Sequence, residues 1–282
     1  MSSLIKLKEF LDFLESRAPL ESAEPWDNVG LMTGSPEQNV TGILVGLDPT
    51  PALIKEALKL KNNTILTHHP LIFKPLYSIR TDTPKGQLLK TALSHDLAVI
   101  SLHTNLDIAA GGVNDALAKK LELQDIQVLV KKENQPEIGF GRIGRLSPPL
   151  DKKSFLKLLA VRLDLPALAI AGPVPDRIEQ VAVCGGSGSD LAEKAFEAGA
   201  QVYITAELKH SVARWAEDNN FCIIDGGHYA TENVIVQPLV REIKKYFSAE
   251  KADIPVQASK EQKNPCLYFI NNNLYKFNQD KE

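Results

Sequence analysis

The chain has 282 residues, enough for two domains of ordinary size or one large one. Hydrophobic residues make up 44% and charged residues 24%, the balance of a soluble globular protein. The formal net charge is -3, and there is no basic run suited to phosphate backbones, since Lys131-Lys132 and Lys244-Lys245 are isolated pairs, which disfavours direct nucleic-acid binding.

No apolar stretch approaches the length of a membrane span, so no membrane role is expected. The start, Met1 to Phe10, reads as an amphipathic helix rather than a signal peptide, because it lacks a continuous apolar core and a small-residue cleavage site. Three scattered cysteines, Cys184, Cys222 and Cys266, are expected to be reduced thiols in a cytoplasmic protein, not a disulfide framework or a thiolate zinc site.

Trp26-Asp27-Asn28-Val29-Gly30-Leu31 follows Pro25; it reads either as a loop anchored by a buried tryptophan or as one that brings Asp27 and Asn28 to a cleft rim. Ile43 to Leu47 is a strand ending at Asp48-Pro49-Thr50, and Pro51 to Leu60 has helical spacing. Thr64 to Thr67 is the next strand, Gln87 to Ser94 a helix, and Leu97 to Leu102 a third strand. Such alternation predicts an α/β fold with a mostly parallel sheet covered by helices. Lys131 to Pro149, with three glycines and Pro148-Pro149, reads as the connection between two halves, carrying a short strand near Gly139 to Leu146.

The order then repeats. Val181 to Val183 is a strand, Asp190 to Ala198 a helix, and Val202 to Thr205 and Phe221 to Ile224 are strands. Residues 43–67 align with 181–205 at a constant offset of 138, with Val45/Val183, Leu53/Leu191, Ala57/Ala195 and Thr67/Thr205 identical. We read this as an internal duplication of two similar α/β units, spanning 1–130 and 131–282, with a frayed tail over 271–282. The bland alternative is that two α/β units look alike by default.

Histidines and carboxylates gather at the ends of these strands. His68-His69 follows the strand at 64–67; His103-x-x-x-Asp107 and His228-x-x-x-Glu232 follow later strands, and the repeat sets the two motifs opposite each other. Crevices of an open α/β sheet form beyond strand C-termini, so these residues are placed to share a site. His68, His69, Asp107, His228 and Glu232 supply more ligands than one catalytic zinc usually takes, and suit two divalent ions. Mixed nitrogen and oxygen ligands fit zinc, iron, manganese or nickel. His103 is either a proton-transfer group or a residue that orients a ligand. His210 is either a second proton-transfer group or a helix-surface residue, and His95 is expected in a surface turn. Gly185 to Ser189 either cradles an anion at a helix N-terminus or is simply a tight turn.

These motifs, together with Gly46-Leu47-Asp48-Pro49-Thr50 and the Gly185 to Gly188 turn, resemble the GTP cyclohydrolase I type 2 homologues, the Nif-three-like dinuclear metal proteins. The resemblance implies two intertwined three-layer α/β/α units, metal ligation by His68, His69, Asp107, His228 and Glu232, and a toroidal homohexamer. It implies metal-dependent hydrolysis of a nucleotide, with opening of the guanine ring in the case of GTP, or of another small phosphorylated substrate. The competing expectation is a non-catalytic metal-containing binding, regulatory or adaptor protein. The large insertion that some members carry between the halves is absent.

Overall fold

The computed structural model describes residues 4–271 and 273–275. Its first half contains α1 (Leu7–Arg17), β1 (Gly30–Thr33), β2 (Ile43–Gly46), α2 (Pro51–Lys59), β3 (Thr64–Thr67), α3 (Pro84–Ser94), β4 (Ala98–Ser101), α4 (Thr104–Ile108) and α5 (Val113–Lys120). A long hairpin follows, β5 (Gln124–Lys132) and β6 (Gln135–Asp151), then α6 (Lys152–Arg162), β7 (Ala169–Ala171), β8 (Arg177–Ser187), α7 (Ala192–Glu197), β9 (Val202–Ala206) and α8 (His210–Asp218). The chain continues through β10 (Cys222–Asp225), α9 (His228–Glu232), α10 (Val236–Ala249), β11 (Val256–Ala258), β12 (Tyr268–Ile270) and β13 (Asn273–Tyr275).

The chain divides into two units, each made of two separate stretches: residues 1–106 with 236–262, and 107–235 with 263–282. The expected boundary at 130/131 falls inside β5.

The first unit holds a five-stranded sheet in the order β1-β4-β3-β2-β11. Thr50 and Thr83 start α2 and α3 by accepting hydrogen bonds from the Leu53 and Gly86 amides, each with proline at the first helical position. Alternation along the strands separates two faces. Leu44, Ile65 and Val99 bury one face against Leu53, Ile54 and Ala57 of α2 and Leu89 and Ala92 of α3. On α1 and α10, Phe10 stacks with Phe247 at 5.6 Å, and α10 packs on β2 and β11.

The second unit holds a six-stranded sheet in the order β5-β6-β8-β9-β10-β7. Val181, Val183, Val202, Ile204, Cys222 and Ile224 face Leu117 of α5 and Phe155 and Leu159 of α6. Their alternates Ala182, Cys184, Tyr203 and Ile223 face Ala192 and Ala195 of α7 and Ala216 of α8. This is a three-layer α/β/α sandwich.

The repeat read at offset 138 is present in the strand pairing. Ile43, Leu44 and Val45 pair in parallel with Thr64, Ile65 and Leu66; their counterparts Val181, Ala182 and Val183 pair with Val202, Tyr203 and Ile204. Each unit adds a third parallel strand, β4 or β10, and flanks it with an antiparallel one, β1 or β7. Each third strand then leads into a five-residue helix, α4 or α9.

Two expectations need correction, and a third falls mostly outside the described residues. Residues 131–149 are not a connection: β5 and β6 form two neighbouring strands of the six-stranded sheet. The glycines there permit close approach, since a Cβ on Gly139 would lie 2.0 Å from the Val130 carbonyl oxygen and one on Gly144 would lie 2.8 Å from that of Gln124. At the start, Lys6 forms an isolated bridge with Asn39 and the helix begins at Leu7; residues 1–3 lie outside the described residues. Of the stretch expected to fray, Asn273–Tyr275 pairs antiparallel with Tyr268–Ile270, and residues 272 and 276–282 lie outside the described residues.

Candidate metal centre

Each unit supplies one set of ligand-type side chains. In the first, β3 ends at Thr67 and the next two residues are His68 and His69. Strand alternation would send their rings to opposite faces, but the chain leaves the strand here. The Thr67 hydroxyl donates to the His69 carbonyl at 2.8 Å, the Ser101 hydroxyl donates to the His68 carbonyl at 2.8 Å, and the His69 amide donates to Leu47 at 2.9 Å. The two rings consequently lie together, centroids 5.0 Å apart, and His103 joins them at 5.1 and 5.4 Å. One ligand atom from each of the three lies within 4.8 Å of the others.

The other ring nitrogens are engaged. His68 Nδ1 lies 2.8 Å from the Leu102 carbonyl, His69 Nδ1 2.7 Å from Asp48 Oδ1, and His103 Nδ1 2.8 Å from Asp27 Oδ1. A carbonyl or carboxylate only accepts, so Nδ1 carries the proton and Nε2 presents its lone pair in the neutral ring. This is how metal-binding imidazoles are held.

Asp27 is a keystone for His103. Its side chain is fully enclosed, and it accepts from the Thr104 amide at 3.0 Å and the Thr104 hydroxyl at 2.6 Å as well as from His103. Burial works against its ionised form, but the hydrogen bonds from His103 and Thr104 outweigh it and hold the carboxyl well below the usual range. Of the two readings of the Trp26 loop, the buried anchor is wrong: Trp26 is 59% exposed, and the aspartate beside it goes inside.

In the second unit, β10 ends at Asp225 and Gly227, at φ +71°, turns the chain directly into α9. His228 opens that helix and Glu232 closes it, four residues on and on the same face, with His228 Nε2 3.0 Å from Glu232 Oε2. His228 Nδ1 meets Glu207 Oε1 at 2.9 Å, following the same pattern as the other three histidines. One imidazole thus stands between two carboxylates, and Glu232 is only 3% exposed. Two carboxylates around one imidazole make a donor group suited to a metal cation. Asp107 is held through its backbone: buried Asn114 donates Nδ2 to the Asp107 carbonyl at 3.0 Å and accepts the Gly185 amide at 2.9 Å.

The glycine turn serves this site rather than an anion. The amides of Gly185, Gly186 and Gly188 donate to Asn114, Thr231 and Thr205, so they are spent on the protein itself. Gly186 is required because Glu232 passes over it: a Cβ there would lie 2.0 Å from Glu232 Oε1. We expect Gly186→Ala to displace the Glu232 carboxylate and weaken metal affinity by roughly 10–100-fold. Gly199→Ala is the matched control, because Gly199 also has positive φ, +82°, but open space around its Cβ position. Titration with a competing chelator dye distinguishes the two; equal affinities would remove Gly186 from the argument.

Cys184 lies beneath the same carboxylates. Burial, then the negative charge of Asp107, pushes its thiol up to about 12, with Glu232 contributing in the same direction. Burial likewise raises Cys222 to about 12, whereas Cys266 is exposed. Alkylation of the native protein with iodoacetamide at pH 8 should therefore label Cys266 and spare Cys184 and Cys222 until the chain is denatured. Peptide mapping by mass spectrometry checks this; native labelling of Cys184 at the rate of Cys266 would contradict it.

His210 begins α8, is exposed, and lines a cleft of about 550 Å³ with Gly172, Pro173, Ala213, Arg214 and Glu217; neither His228 nor Glu232 lines it. His95 is exposed at the end of α3, as expected for a turn residue. Sequence reasoning missed the supporting acids Asp48 and Glu207. The repeat contained a signal for the second, because residue 69 plus 138 is 207: Glu207 stands where the other unit has His69.

The chain belongs to the family described as Duf34/NIF3 (NGG1p interacting factor 3), whose sequence profile matches residues 5–265. A Clostridium perfringens relative called GTP cyclohydrolase 1 type 2 homolog is 32% identical over 261 residues, covering 93% of this chain and 98% of the relative. A Streptomyces coelicolor relative of the same name is 35% identical over 232 residues, covering 80% and 81%. Among solved structures, a hypothetical protein from Staphylococcus aureus superposes with a TM-score of 0.89 at 28% identity, covering 94% of this chain and all of that one. Reduced HcgD from Methanocaldococcus jannaschii gives 0.75 at 27% identity, covering 91% and 99%. Among the described residues, no helix is long and apolar enough to cross a membrane.

Proposed function

We propose that His68, His69, Asp107, His228 and Glu232 hold two divalent ions in a metal-dependent hydrolase that acts on a nucleotide or another small phosphorylated substrate. The observation that carries this reading is the common anchoring of four imidazoles. His68, His69, His103 and His228 each direct Nδ1 at a carbonyl or carboxylate within 2.7–2.9 Å, which orients each ring and makes Nε2 its ligand-type nitrogen. The donor set fits divalent ions: neutral imidazole nitrogens balanced by two carboxylates suit zinc, iron, manganese or nickel. The names of the relatives point to guanine nucleotides as the first substrates to try.

Ions bound there would lower the pKa of a water molecule and stabilise the charge that develops on the attacked group. The protein's own contribution is proton transfer and orientation. His103 is the candidate acid–base group, because it lies beside His68 and His69 while Asp27 holds its Nδ1 and orients the ring. His69 and His228 are oriented by Asp48 and Glu207 in the same manner. The family resemblance also leads us to propose a toroidal homohexamer.

Elemental analysis of protein purified without chelators or affinity metals should give about two ions per chain. The loaded protein should then turn over at least one member of a nucleotide panel that includes GTP. Trace metal only, with none taken up on reconstitution, would overturn the metal reading. Full metal with no turnover of any phosphorylated compound would overturn the hydrolase and favour a binding or regulatory protein.

A further inference from the structure

We infer that Trp26 and Phe73 form an aromatic shelf that receives a planar heteroaromatic ring of the substrate beside His103. This rests on the proposed role of His103 at the metal site. Two large rings are left open to solvent, Trp26 at 59% exposure and Phe73 at 38%, although each carries substantial apolar area. They meet edge to face, with centroids 5.9 Å apart at 66°, so together they make an open corner rather than a closed pair. Both also abut His103 edge-on, at 6.2 and 6.1 Å. A ring placed in that corner can stack on one aromatic, meet the other with its edge, and bring its own atoms next to His103.

The shelf is built to stay in place. Asp27, adjacent to Trp26, is locked by His103 and Thr104, and the Glu24 amide donates to the Thr104 hydroxyl at 2.9 Å. Asn28 donates its side-chain amide to the Ile72 carbonyl, which ties the loop bearing Trp26 to the segment bearing Phe73. Exposed rings on an ordered backbone lose little freedom when a ligand covers them. His103 borders the corner on one side, which favours a small-molecule ring over a partner's side chain.

Tryptophan fluorescence reads this directly, because the chain has two tryptophans and Trp215 is packed against Phe196 and Phe221 at 5.7 and 6.1 Å. Metal-loaded protein would be titrated with guanosine, adenosine and, as a ring-free control, ribose 5-phosphate, with metal content measured on the same samples. Saturable quenching by the nucleosides and none by ribose 5-phosphate is expected. Trp26→Phe should abolish the quenching, and Phe73→Leu should weaken nucleoside binding by about tenfold without changing metal content. Metal-containing protein that nucleosides fail to quench, equal quenching by ribose 5-phosphate, or full quenching in Trp26→Phe would each overturn the shelf. Quenching in protein that holds no metal would support the shelf while removing the metal reading, so the two failures are distinguishable.

Discussion

If the proposed centre holds two divalent ions, replacing Glu232 with glutamine should cost the protein at least one of them while leaving it folded. Glutamine keeps the size and the path over Gly186, so packing at this 3% exposed position is preserved. What it removes is the charge. Glu232 Oε2 lies 3.0 Å from His228 Nε2, and Glu207 holds the other side of that ring, so Glu232 supplies the anionic face of the second unit's donor set. A neutral amide also offers one acceptor oxygen where the carboxylate offers two. Asp107→Asn should behave in the same direction, since Asp107 is the counterpart of Glu232 in the repeat. His95→Ala, on the exposed end of α3, should retain full metal. Elemental analysis with circular dichroism on all three decides it. Full metal content in both carboxylate variants would show that neither is a necessary ligand and that the paired motifs are coincidental.

The second large effect is on stability. Arg142→Ala should destabilise the second unit by about 3–5 kcal/mol. Arg142 is 2% exposed in β6 and forms a two-pronged pair with Asp115, Nε to Oδ1 at 2.9 Å and Nη2 to Oδ2 at 2.8 Å. Its remaining donors satisfy the carbonyls of Gly139, Gly141 and Ala109. Truncation therefore leaves the partly buried Asp115 carboxylate with the Gly111 amide but without its guanidinium, takes a donor from three carbonyls, and opens a cavity between the β5–β6 hairpin and the start of α5. A fall in melting temperature of roughly 10 °C is expected. Arg142→Lys should recover little, because an ammonium cannot reproduce the planar fork. Arg142→Met combined with Asp115→Leu should recover much of the loss, because it removes both charges at once. A loss below about 1 kcal/mol in Arg142→Ala would show that water replaces these bonds without penalty.

The sequence by itself determined the α/β class, the repeat and the ligand-type residues. These are local or periodic properties: strand runs such as Thr64–Thr67 and Val202–Ala206 declare themselves by apolar content, and polar groups at their ends can only face a crevice or solvent. The offset of 138 was legible because a parallel pair closed by one helix keeps its register, and both units keep it over the first three residue pairs. Non-local choices were left to the tertiary structure. Gly139, Gly141 and Gly144 have the composition of a linker, and only the proximity of Val130 and Gln124 shows that they let β5 and β6 pair closely. Arg142 looks like any surface arginine until Asp115 and three carbonyls surround it. Whether Trp26 or its neighbour Asp27 enters the interior depended on Thr104 and His103, more than seventy residues away, offering Asp27 three hydrogen bonds. Pattern reveals which residues repeat along a strand or helix; the partner that satisfies a buried charge comes from a distant part of the chain, and only the folded structure brings it there.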